Sequence, residues 1–125
     1  MIFLTLEHLL EIHALVIEAT GGSTGLRDLG RLESVIAVQN QNVFGEELFP
    51  SVFDKSAAII RGIIADHPFV DGNKRTGMLA GLTFMQLNDM HFNAQVGDIE
   101  HFAVEITTNH IDILEISAWL EQRTK

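Results

Sequence analysis

Apolar positions recur at spacings of three and four through most of this chain, the period of helices with one buried face. Leu6, Leu9, Leu10, His13, Val16 and Ile17 form one such stripe behind Thr5, a residue type suited to capping, and Gly21-Gly22 ends it. Asp28 is placed to cap a short second helix carrying Leu32, Val35, Ile36 and Gln39. From Asn40 to Pro50 the period is lost, and the stretch reads as an irregular connection or a small hairpin. It returns from about Ser51 to Asp66, with Phe53, Ala57, Ile60, Ile63 and Ile64 facing inward. A fourth helix is expected from near Asn73 to about Asn88 through Met78, Leu82, Met85 and Leu87, and its Gly77, Ala80 and Gly81 let a neighbouring helix approach closely. After His91 and Phe92 comes a fifth, capped by Asp98 and continuing through Phe102 and Ile106, then a sixth from about Ile111 through Trp119. The expected fold class is all-α: a compact bundle of about six helices in one domain, residues 1–125, with the third and fourth helices as its core.

Composition narrows the chemistry. With 46% hydrophobic residues, 125 residues suffice for a single substantial core. The absence of cysteine excludes disulfides, thiol nucleophiles and thiolate zinc sites, so a metal would have to bind through oxygen or histidine. Seventeen acidic against eight basic residues, a net charge of −9, repel nucleic acid phosphates and make a protein the expected macromolecular partner. No run approaches the ~20 apolar residues of a membrane span, and Met1-Ile2-Phe3-Leu4 lacks the basic flank and length of a signal peptide, so a cytoplasmic location is expected. His8, His13, His91, His101 and His110 show no i, i+4 pairing of a helical metal site and are expected to be structural or exposed.

One segment concentrates chemistry: His67-Pro68-Phe69-Val70-Asp71-Gly72-Asn73-Lys74-Arg75-Thr76-Gly77. Pro68 ends the preceding helix and Gly72 permits a tight turn, so the run reads as helix, loop, helix. At the start of the second helix the N–H groups of Gly72, Asn73, Lys74 and Arg75 have no intrahelical acceptor and meet the positive end of the helix dipole, a ready site for an anion. Two cations in a first turn oppose the dipole by ~0.3–1 kcal/mol each, and a bound phosphate would offset both. Lys74 suits one phosphate oxygen as a point charge, while Arg75 suits two through its planar fork. Asp71 is a hard oxygen ligand beside that spot, suited to Mg2+, although an Asp before a helix also serves as an ordinary cap. The Asn73 amide suits a phosphate oxygen or a loop turn equally. His67, at the other lip, is placed to take a proton from an attacking hydroxyl, since imidazole exchanges protons near neutral pH.

These residues carry a resemblance. HPFVDGNKRTG resembles the signature of the Fic/Doc family, His-x-Phe-x-Asp/Glu-Gly-Asn-Gly/Lys-Arg, and Gly25-Leu26-Arg27-Asp28-Leu29-Gly30-Arg31-Leu32-Glu33-Ser34 resembles the stretch before the second helix of Doc-type toxins. The resemblance implies His67 as general base, Asp71 as Mg2+ ligand, Gly72 and Asn73 as the wall of an anion hole, and Lys74 and Arg75 as phosphate ligands. It also implies that residues 40–50 form the flap of the family. Lys74 stands where most AMP-transferring members have Gly, and Met78 where they usually carry a second Arg that grips the terminal phosphates. Both departures are similar to the Doc branch, which passes the γ-phosphate of ATP to a threonine of elongation factor Tu and halts translation. A toxin of that kind implies a cognate antitoxin whose disordered tail folds into a groove near the motif. Two other readings stand beside it: an adenylyltransferase using the same His67 and Asp71, and a catalytically idle module that kept the nest to bind nucleotide or peptide.

Overall fold

A computed structural model describes residues 1–125. Six α-helices account for most of the chain: α1 (Leu6–Thr20), α2 (Leu29–Ala37), α3 (Val52–Asp66), α4 (Asn73–Leu87), α5 (Val96–Thr108) and α6 (Ile113–Gln122). A 3-10 turn (Val38–Asn40) and a hairpin of β1 (Asn42–Val43) and β2 (Glu46–Glu47) lie between α2 and α3. The fold is all-α, as the periodicity predicts, and the hairpin occupies the stretch where the period fails. Phe44 and Gly45 form its two-residue turn, both at positive φ, as tight hairpins require.

The helix ends follow local chemistry. Thr5 accepts from the His8 N–H while the His8 ring accepts from the Thr5 N–H, a reciprocal cap for α1. Asp28, Ser51 and Asp112 cap α2, α3 and α6 through their side chains. Two boundaries differ from the expected ones. The fifth helix starts at Val96 with Gln95 as its cap, so Asp98 lies inside the first turn, where its charge still favours the dipole. The sixth starts at Ile113, because Asp112 takes the capping position and leaves Ile111 as a buried residue of the preceding turn.

α3 lies at the centre, packed against α2, α4, α5 and α6. One side of it joins a cluster with Met78, Met85, Phe102, Ile106, Ile116 and Leu120, and the other a cluster with Leu9, Ile12, Leu32, Val35, Phe69 and Phe84. Each buried Ile or Leu contributes about 1.5–3 kcal/mol through removal from water. α3 and α4 approach closely because Gly77 and Gly81 face Ile60 and Ile64; a Cβ on Gly81 would stand 2.3 Å from Ile60 Cγ1. Leu10 and Leu87, expected on apolar faces, are partly exposed instead. His13 is buried on its stripe. Lys55 is also buried, and its Nζ donates to the Gln39 carbonyl and to Glu47 at 3.0 Å, tying the hairpin to α3.

Candidate active site

The segment 67–73 crosses the end of the bundle between α3 and α4. His67 closes α3 in the left-handed region at φ 48°, a conformation costly for a side-chain-bearing residue and held only where the surroundings fix it. Arg27 supplies the fixing contacts, donating through Nε to the His67 carbonyl at 2.7 Å and through a terminal nitrogen to the Asp66 carbonyl at 2.8 Å. Arg31 adds a bond to Asp66 O at 2.7 Å. These guanidiniums also complement the negative end of α3. Main-chain bonds from Arg27 and Asp28 to Pro68 O, and from Val70 to Gly25 O, lay segment 25–28 alongside the loop like a short strand. The segment before α2 thus holds the candidate base in place.

The far half of the loop is anchored from inside. The Asn73 side chain donates to Phe69 O at 2.9 Å and accepts from Phe69 N–H at 3.0 Å, so its amide is engaged within the loop and its backbone N–H is what remains for an anion. Phe69 is buried and stacks on the His13 ring at 3.8 Å. His13 Nε2 lies 2.9 Å from the Asp71 carbonyl; a carbonyl only accepts, so that nitrogen carries the proton. The Asp71 carboxylate accepts from Ser23 N–H at 3.2 Å through one oxygen, and its other oxygen is uncommitted. Gly22 keeps this space open, since a Cβ there would lie 2.9 Å from the carboxylate.

Gly72, at φ 74°, is the cap of α4 and offers no side chain to the helix start. The first intrahelical bond is from Thr76 N–H to Gly72 O, leaving the N–H groups of Asn73, Lys74 and Arg75 without protein acceptors. Lys74 and Arg75 are exposed and have no carboxylate partner. His67, Asp71, Gly72, Asn73, Lys74 and Arg75 thus lie along one loop and the helix start that follows it, and the Asn73 side chain is committed to the Phe69 backbone. Fit to Mg2+ follows from the donor set: one carboxylate with a free oxygen, and no group of three ligating side chains. Such a site suits an ion that arrives on nucleotide phosphates and keeps several waters. Met78, one turn into α4, is buried in the core and places no cation there.

Sequence reasoning missed His13, Arg27, Arg31 and Ser23 as supports of the site. A polar residue on the apolar stripe of α1 was the available signal for His13; the others act on partners 35 to 48 positions away.

Comparison with known proteins identifies the family. Residues 3–85 match the Fic/DOC family, a span that holds α1 to α3, the whole loop and all but the last two residues of α4. The chain is 35% identical over 104 residues to Toxin Doc of Mycolicibacterium smegmatis, covering 82% of this chain and 80% of that protein. It is 34% identical over 82 residues to Protein kinase doc of Escherichia phage P1, covering 66% of this chain and 64% of the phage protein. On the matched span and the two relatives, this chain belongs to the Fic/Doc family.

Proposed function

We propose that this protein is the toxin of a toxin–antitoxin module and transfers the γ-phosphate of Mg-ATP to a threonine of elongation factor Tu, stopping translation. The observation that carries the reading is the start of α4, where three unpartnered N–H groups and two unpaired cations lie on the same short loop as His67. The names of the two relatives, a toxin and a protein kinase, support it. Phosphoryl transfer asks for positioning and charge neutralisation more than covalent chemistry. The threonine oxygen attacks the γ-phosphorus, the bond to the bridging oxygen breaks, ADP departs with that electron pair, and the hydroxyl proton passes to the His67 imidazole. Lys74, Arg75 and the N–H groups of 73–75 hold the phosphate oxygens. Mg2+, held by Asp71, would neutralise charge on those oxygens.

A cleft of about 530 Å³, lined by Phe49, Ala58, Arg61, Gly62, Asp66 and Ile113 along α3, receives the target. The hairpin stands over this side, with Phe44 at its tip fully exposed. The antitoxin tail takes a different place, the apolar groove of about 240 Å³ formed by Val16, Met78, Leu82, Val96 and Ile99, which Arg75 borders. An amphipathic helix seated there would reach the phosphate ligand directly.

The test is to mix the purified protein with elongation factor Tu, Mg2+ and ATP and to read the intact mass of the target. A gain of one phosphate is expected. A gain of one AMP overturns the kinase reading in favour of adenylyl transfer, and growth arrest that survives in folded Asp71→Ala protein overturns catalysis altogether.

A further inference from the structure

Arg61 is half-buried on α3, one and a half turns before His67. Its Nε donates to the Ile111 carbonyl at 3.1 Å, which fixes the guanidinium plane and leaves the two terminal nitrogens free. No carboxylate pairs with it, although acidic residues outnumber basic ones by about two to one. A partly desolvated cation without a counter-ion is disfavoured in the free protein; Arg27 and Arg31 are engaged on carbonyls of α3, and Lys74 and Arg75 are exposed to water, whereas Arg61 is half-buried with its terminal nitrogens unpartnered. Arg61 instead lines a cavity of about 180 Å³ together with His67, Thr107 and His110. His110, at φ 50° in the left-handed region like His67, lines the same space.

We propose that this cavity is a phosphate subsite, in which Arg61 grips a nucleotide phosphate that the start of α4 does not reach. The assignment rests on the nucleotide-dependent reading above. Its chemistry is that of a bidentate guanidinium–phosphate contact, with the Thr107 hydroxyl and the His110 ring as further polar neighbours. Size favours a phosphate over a polypeptide: ligand pockets for whole small molecules run to roughly 300–1,000 Å³, whereas this one admits a fragment. The wider cleft, which Arg61 also lines, has room for the target. Arg61 thus stands between the two substrates.

The experiment is calorimetric titration of the wild-type protein, Arg61→Gln and Arg61→Lys with ATP and with ADP in Mg2+, alongside initial rates on the protein target. Gln retains an amide that reaches toward Ile111 O, and Lys retains the charge, so a fold defect common to any substitution is separated by thermal midpoint from a ligand effect. Loss of one charge-assisted contact predicts weakening of ATP and ADP by about ten-fold or more in Arg61→Gln, with Arg61→Lys in between. Equal nucleotide affinity in folded wild type and Arg61→Gln overturns the subsite while leaving the kinase reading intact. A rise confined to the KM for the protein target also overturns it, assigning Arg61 to target binding. Absence of nucleotide binding in the wild type overturns both.

Discussion

The loop has a root and a mouth, and they are built on opposite principles. At the root, backbone groups of residues 68–71 and the Asn73 amide are engaged: Phe69 by Asn73 and the His13 ring, Pro68 O by two N–H groups, Val70 by Gly25, and Asp71 O by His13. At the mouth, three backbone N–H groups, Lys74, Arg75 and the terminal nitrogens of Arg61 have no protein partner. Saturating the root is what permits an unsaturated mouth, since left-handed residues and unpaired donors persist only where neighbouring contacts over-determine the backbone. Substitutions at the two places should therefore separate stability from activity.

The largest expected effect is at the mouth. His67→Asn keeps a residue type that tolerates left-handed backbone, so phosphoryl transfer should fall by about 10²–10⁴-fold while the thermal midpoint stays put. A matching loss of stability would erase the distinction. At the root, Asn73→Ala leaves a buried N–H and a buried carbonyl of Phe69 unpaired and should lower stability by about 2–4 kcal/mol in urea unfolding, with activity lost as the loop loosens. Beneath both, Gly81→Ala drives a Cβ into Ile60 and Ser56 and should cost about 1–3 kcal/mol, detectable as a shifted denaturation midpoint. The smallest change sharpens the comparison further. Thr76 Oγ1 is the one buried side-chain polar atom without a hydrogen-bond partner, so Thr76→Val should leave stability unchanged or raise it by up to about 1 kcal/mol; a clear loss would mean that this hydroxyl has a partner in solution.

The helix start at the mouth was legible in the sequence because its residues are consecutive and assemble whatever the rest of the chain does; Arg61, on α3, was not. The root was not, because its bonds join residues that only tertiary structure brings together. His13 appeared as one more member of an apolar stripe, yet a polar ring at a buried position already implied a partner. The helices themselves followed from periodicity, and the misplaced details have local causes. Leu10 lies at the margin of a stripe wider than α1 buries. Ile111 continues a hydrophobic pattern that Asp112 interrupts by capping. Asp98 has the right chemistry for a cap, three residues after the position Gln95 takes without any side-chain bond.

The spacing of the bonds at the root sets the order in which the protein becomes active. His13 and Asp71 are 58 positions apart, Ser23 and Asp71 48, and Arg27 and His67 40. Contacts this distant form late, after the chain between them has been ordered. A nascent chain that has emerged only as far as α3 has neither Asp71 nor the anion-binding start of α4. Synthesis must pass Arg75 before the chain can present the helix start at which an anion would be held.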